Sequence, residues 1–467
     1  MLFSSISFLY YFLPITLILY FVCKNKYKNT ILLVASLFFY FYGEPSYTLL
    51  MIISAFSGYI HGILIDQYRN TKLSKIFLLS SLVVSLGILT VFKYGDFIIT
   101  NVNSLFSTNV KLLRLALPIG ISFYTFQVLS YVIDVYNRKA KVCESFLYFA
   151  TYVCLFPQLI AGPIVRYTTV QNELKYRKHS LDKFAYGVNR FIIGLGKKII
   201  LANNLGLLVE ILNKSAEKSI LSHWILAIAF SLQIYYDFSG YSDMAIGLGK
   251  MFGFDFLENF NYPFISKSIT EFWRRWHMSL SSFFRDYVYI PLGGNRVNIL
   301  RWILNIFVVW MLTGLWHGAS WNFVLWGVYF ALLLIIEKLF LGKILKNIPV
   351  VFQHIYTLFF IIISFVIFNN EGLKELSAFI CNMFNFKNLS VTNEFTTYYL
   401  KSFAVILIVS VIGATPLMKN MVDKLSENKV IGKFMGILNI IFNVTILIVC
   451  TAYLIDGSFN PFLYFRF

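Results

Sequence analysis

The sequence predicts an all-α polytopic membrane protein of about twelve spans with a re-entrant segment. Three observations carry this. The 467 residues are 58% hydrophobic and only 13% charged, against about a quarter charged in an ordinary soluble domain. The apolar residues form long continuous runs, not the alternating strands of a β-barrel. The net charge of +18, from 40 Lys and Arg against 22 Asp and Glu, sits in short loops between those runs. That is the pattern by which inner loops set topology and meet an anionic leaflet, and it argues against nucleic acid as a partner. The 49 Phe and 30 Tyr suit lipid-facing packing and interfacial belts. Five cysteines without a CxxC spacing give neither a disulfide framework nor a metal site.

The first run, 7–23, lacks a preceding positive residue and a following small-residue cleavage site, so it reads as a span and not a removed signal peptide. Lys24, Lys26 and Lys28 place the next loop inside and the N-terminus outside. Runs follow at 30–43, 47–65, 76–94 and 117–134, the first pair separated at Glu44-Pro45. Basic loops at Arg69–Lys75 and Arg138–Lys141 keep the alternation consistent. It slips at 145–163, which has a basic loop on either side. One span cannot have both ends inside. Pro157, Gly162 and Pro163 interrupt this run, so it reads as entering and leaving on one face, with protein shielding its broken backbone. Spans at 190–211, 221–238, 299–316, 320–341, 350–370, 401–417 and 434–456 complete the count and leave the C-terminus outside. The chain reads as a single integral membrane domain, 1–467, with an outward aromatic tail at 457–467.

Ionisable residues at membrane depth point to function. His317, in Gly314-Leu315-Trp316-His317-Gly318-Ala319-Ser320-Trp321-Asn322, lies at the outward junction of two runs. Its small neighbours leave room for a substrate, and an imidazole there can take a proton from a hydroxyl. The alternative is a satisfied histidine at a helix turn. In 272–286, Trp273, Trp276, His277, Leu280 and Phe284 share one face of a helix, while Arg274, Met278, Ser281 and Arg285 share another. An interfacial anchor explains all of these except His277. Asp237, in Tyr235-Tyr236-Asp237-Phe238-Ser239-Gly240-Tyr241-Ser242-Asp243, either orients a histidine or belongs to a helix cap. The tail Pro461–Phe467 is too aromatic for a frayed end. It is an interfacial belt or an insert into a cavity, with Tyr464 as its one neutral hydroxyl. P-loop, G-x-S-x-G and metal-ligand spacings are absent, leaving nucleotide hydrolysis and a self-contained serine hydrolase without support.

These stretches, with Ala161-Gly162-Pro163-Ile164-Val165-Arg166, Arg285-Asp286-Tyr287 and Ile290-Pro291-Leu292-Gly293-Gly294-Asn295-Arg296, stand in an order and spacing that resemble the membrane-bound O-acyltransferase family. The likeness is to its bacterial branch for alginate O-acetylation. Each motif alone is modest; the ordered set is specific. The resemblance implies a ring of tilted helices and re-entrant pieces around a central tunnel. It implies His317 as the catalytic histidine and His277 as the second characteristic one. It further implies a tail that carries an acyl group on Tyr464 and an extracytoplasmic SGNH-like partner that modifies a polysaccharide. Loop charges put Tyr464 on the outward side with His317.

The expected reaction moves an acetyl group from a cytosolic thioester, acetyl-CoA, across the bacterial cell membrane to hydroxyls of an exported or wall polymer. No cofactor is expected to be bound. Arg274, Arg275 and Arg285 are candidates for the donor's phosphates, though the same charges suit lipid. His317 serves as general base toward Tyr464, His277 lines the tunnel or orients the donor, and Asp237, Trp276 and Asn322 support the site. The Lys/Ile/Asn/Phe/Tyr-rich composition favours a wall or capsule polymer over alginate. The competing readings are D-alanyl transfer, a transporter or flippase, and a non-catalytic scaffold; internal repeats, which a transporter would show, are not evident.

Overall fold

The computed structural model describes residues 1–160 and 162–457. Ala161, Tyr464 and nearly all of the predicted tail lie outside them. All regular structure among the described residues is helical. Among the described residues seven helices are long and apolar enough to cross a membrane, or eight if Glu394–Ser402 and Ala404–Gly413, bent by 57°, form one span. The other four predicted runs are helical too. Those at 7–23, 30–43 and 117–134 are short of a full span, and 221–238 belongs to a 32-residue helix, Ile220–Met251. At 1.5 Å per residue, 16 residues rise about 24 Å, less than the hydrocarbon thickness of about 30 Å.

The chain divides into two compact units. The first comprises 1–191 and 241–257. In it α1 (Leu13–Val22), α2 (Lys28–Gly43) and α3 (Pro45–Gln67) follow one another, α3 starting on the proline that the break at Glu44 predicts. Next come α4 (Lys72–Leu89), α5 (Gly95–Phe106) and α6 (Ile121–Tyr136). The interrupted run becomes α7 (Phe146–Cys154) and a single turn, α8 (Phe156–Leu159), after Leu155 leaves helical geometry at ψ 112°. Both pieces are too short to span, and 149–160 are buried. Protein satisfies the break: Phe156 N–H donates to Ser36 Oγ at 3.0 Å, and Tyr152 Oη donates to Val165 O at 3.0 Å. Gly120, at φ +74°, lets the chain approach closely, since a Cβ there would meet Leu159 O at 2.4 Å. Phe3, Phe8, Phe12, Phe39, Phe156 and Tyr241 form the aromatic centre of this unit. Helices α9 (Tyr167–Lys175) and α10 (Leu181–Gly196, of which 181–191 belong to this unit) follow.

The second unit comprises 192–240 and, among the described residues, 258–457. Its elements are α11 (Asn203–Lys214), α12 (Ile220–Met251, of which 220–240 belong to this unit), α13 (Ile269–Arg275), α14 (Met278–Phe284), α15 (Ile299–His317), α16 (Trp321–Ile336), α17 (Gly342–Asn347) and α18 (Val350–Asn369). After these come α19 (Leu373–Asn382), α20 (Glu394–Ser402), α21 (Ala404–Gly413), α22 (Leu417–Ser426) and α23 (Lys429–Ile455). One apolar core joins α11, α12, α13, α16 and α18. Helices α15 and α16 touch through glycine: a Cβ on Gly314 would meet Phe323 O at 2.2 Å, and one on Gly327 would meet Trp310 O at 2.4 Å. Small residues are what allow backbones to approach this closely in a membrane.

Candidate active site

Both histidines lie in the second unit and both are buried. His317 is the last residue of α15, where Gly318 leaves the helix in extended geometry. Its ring packs among three aromatics: centroids lie 5.0 Å from Trp316, 5.0 Å from Trp326 and 5.3 Å from Phe368. The His277 ring lies 5.6 Å from Trp316 and 4.6 Å from Phe238. Both imidazoles therefore pack against one indole. Trp273 and Trp326 add buried Nε1–H groups that lack hydrogen-bond partners among the described residues. Asn322, 1% exposed, donates from Nδ2 to Phe368 O at 3.1 Å and accepts from Ser320 Oγ, tying the loop after His317 to α18.

The glycines beside His317 do not leave space for a substrate. Gly314 and Gly318 are filled by α16: a Cβ on Gly318 would meet the Phe323 ring at 2.2 Å. Their small size serves helix contact.

The segment 272–286 is not one amphipathic helix. It breaks at His277, whose backbone adopts φ +44°, ψ +53° between α13 and α14. A left-handed non-glycine residue costs about 1–3 kcal/mol and persists where its surroundings hold it. Asn259, fully buried, does the holding. Its carbonyl accepts from Met278 N–H at 2.9 Å. Its Oδ1 accepts from Ser279 N–H at 3.2 Å and Ser279 Oγ at 2.8 Å, and lies 3.1 Å from His277 Nδ1. The Ser279 amide can only donate, so that atom is the amide oxygen and His277 Nδ1 carries the proton. Nε2 is then the acceptor nitrogen. Burial, with His317 adding to it, holds the His277 imidazole well below its ordinary pKa, so the ring is neutral.

The start of α13 is anchored by Glu337, which is 4% exposed. Its carboxylate accepts from Ile269 N–H at 2.6 Å, Thr270 N–H at 2.9 Å and Thr270 Oγ1 at 2.7 Å, capping α13. Ser268 and Glu271 add capping-box spacing. A Glu337→Ala variant strands these donors and should lose about 1–3 kcal/mol. Thermal unfolding in detergent checks this, with Glu337→Gln, which keeps one acceptor, losing less.

The stretch 237–243 lies inside α12 and is not a helix cap. Asp237 pairs with Lys198 at 2.6 Å, both side chains buried. Of the arginines, Arg275 bonds Glu271 and Asn261 O, Arg285 bonds Asp286, and Arg274 is exposed. Trp276 packs on Phe260, Phe272 and Phe365 in the core. Asn259, Glu337 and Lys198 are additions to the predicted set. Glu337 and Lys198 fall within apolar runs, where a charged residue is itself the signal; Asn259 carries no local signal.

The chemistry available is two buried imidazoles set among aromatic side chains. Residues 38–374 match the membrane-bound O-acyltransferase family, MBOAT. A probable alginate O-acetylase of Pseudomonas aeruginosa is 40% identical over 391 residues, covering 83% of this chain and 75% of the relative. A peptidoglycan O-acetyltransferase of Helicobacter pylori is 32% identical over 427 residues, covering 84% and 81%. A teichoic acid D-alanyltransferase of Bacillus subtilis is 32% identical over 229 residues, covering 46% and 58%.

Proposed function

This chain belongs to the membrane-bound O-acyltransferase family and is an O-acyltransferase, and from that premise we propose that it carries acetyl groups from a cytosolic thioester to an exported or wall polysaccharide. The observation that supports this most is the pair of imidazoles that both pack against Trp316 among buried aromatics of the second unit. In the reaction we propose, His317 accepts the proton of an attacking hydroxyl as its oxygen bonds the acetyl carbon. The carbon–sulfur bond breaks and the leaving thiolate takes that proton. His277, neutral and protonated on Nδ1, offers Nε2 to the same pocket. The donor is acetyl-CoA, handled as a substrate, and the ring of helices around a tunnel is the route that it requires.

The first acceptor in this reading is Tyr464, which lies outside the described residues. A phenol has an ordinary pKa near 10, so it needs a base at neutral pH. The acetyl-tyrosine then passes its acyl group to a serine of an extracytoplasmic SGNH-like partner, which acetylates the polymer. The whole chain, 1–467, acts as one membrane domain of a bacterial inner membrane. Of the named relatives, two act in O-acetylation across more than four-fifths of this chain, which supports acetyl over D-alanyl transfer.

Intact-protein mass spectrometry after incubation with acetyl-CoA tests this. The expected result is one acetyl adduct mapping to Tyr464, lost in both Tyr464→Phe and His317→Ala. An adduct that survives Tyr464→Phe removes the tyrosine from the path.

A further inference from the structure

The first unit holds a basic cluster to which the reaction proposed above assigns no residue. Lys28, at the start of α2, is 7% exposed. A lysine buried to that extent is ordinarily paired, yet among the described residues no carboxylate lies within ion-pair distance of it. Its ammonium instead lies 4.9 Å from the Tyr20 ring centroid and 5.7 Å from that of Phe21. Arg177, between α9 and α10, lies 5.7 Å from the same Tyr20 ring and 4.7 Å from that of Phe254. Its Nη2 donates to Asn29 Oδ1 at 2.6 Å, while Nη1 is buried without a partner among the described residues.

The neighbouring acids are already engaged. Asp255 pairs with Lys183 at 2.8 Å and also with Lys250, and Glu173 accepts the Asp255 N–H at 3.1 Å. His179, 3.4 Å from Tyr20 Oη, is lowered to about 4 by burial and then by Lys28, Arg177 and Lys183. It is neutral at pH 7, which spares the cluster one more positive charge. Gly253, at φ +89°, leaves room for that ring, which a Cβ would meet at 2.7 Å. The result is two cations against the Tyr20 ring, one with an unused donor, and no carboxylate within ion-pair distance of either among the described residues. An ammonium beside a guanidinium edge is the donor set that phosphate oxygens take.

We propose that Lys28 and Arg177, on the Tyr20 and Phe254 rings, form a binding site for a phosphate group. Two sources share that chemistry: the headgroup of an anionic phospholipid from the leaflet these basic loops face, and the phosphates of a soluble nucleotide-bearing thioester or thiol. Native mass spectrometry of the delipidated full chain, with dioctanoyl phosphatidylglycerol and coenzyme A as separate and competing probes, decides between them. The wild type should retain one phosphate-bearing adduct. Lys28→Met/Arg177→Gln should weaken it at least tenfold, and Lys24→Ala/Lys26→Ala, at exposed positions of the same loop, should leave it within twofold. Should the double variant not purify folded, Arg177→Gln alone is read in the same way. Lipid retained against coenzyme A assigns the site to the headgroup; lipid displaced by coenzyme A assigns it to the soluble phosphate. Equal binding of both probes by the wild type and the basic-pair variant, or none by the wild type, overturns the proposal.

Discussion

An alanine at position 317 is expected to lower acetyl transfer about 10²- to 10⁴-fold, the span that general-base catalysis contributes. The protein should stay in the membrane at wild-type abundance. The argument rests on what surrounds the ring. His317 packs at 5.0–5.3 Å from the rings of Trp316, Trp326 and Phe368, so alanine removes packing as well as a base. A phenylalanine separates the two effects, because it fills an aromatic slot and carries no basic nitrogen. His317→Phe should match the wild type in thermal stability and match His317→Ala in activity. Polymer acetylation in a strain lacking the native gene, complemented with each variant at equal membrane abundance, reads the outcome. Acetylation that survives the phenylalanine would make the residue a packing group.

His277 belongs to the same comparison with a smaller expected loss. Its ring is held through Nδ1 by Asn259 Oδ1 at 3.1 Å, and the strained backbone at the same residue is held by Met278 and Ser279 donating to that asparagine. The histidine's orientation is therefore built from a residue 18 positions earlier.

That distance explains what could be read in the chain and what could not. Continuous apolar runs announce the helical membrane class, and Pro157 within a run bounded by basic loops announces the broken segment that becomes α7 and α8. Both are local signals. The break at His277 is not local. The spacing of Trp273, Trp276, Leu280 and Phe284 fits an unbroken helix, and only the Asn259 contacts make a left-handed residue tolerable. Gly314 and Gly318 show the same limit. A glycine beside a histidine is equally compatible with an open pocket and with a tight helix contact, and Phe323 of α16 decides for contact. Glu337 lay in a run whose average hydropathy absorbed it, and its task is visible only beside Ile269 and Thr270.

Lys198 and Asp237 supply the second large effect. Their side chains are 2% and 4% exposed and meet at 2.6 Å. Lys198 lies in the π-helical turn Lys197–Ala202, and α12 comes close to it because residue 240 is glycine: a Cβ there would meet Lys198 N at 3.1 Å. Removing one partner takes the ion pair from a buried charge, at a cost of about 3–5 kcal/mol. Lys198→Met and Asp237→Leu should each unfold at markedly lower temperature in detergent. The double variant removes both charges at similar volume, and replacing a buried pair by apolar groups is often neutral, so it should regain most of the loss. A double variant as unstable as either single one would show that the pair is not what holds α12 there. Activity adds a second reading. Asp237 precedes Phe238, whose ring stands 4.6 Å from that of His277, so a pair that only fixes α12 predicts that transfer returns with stability. Stability regained without transfer would instead assign the ion pair a part in the chemistry itself.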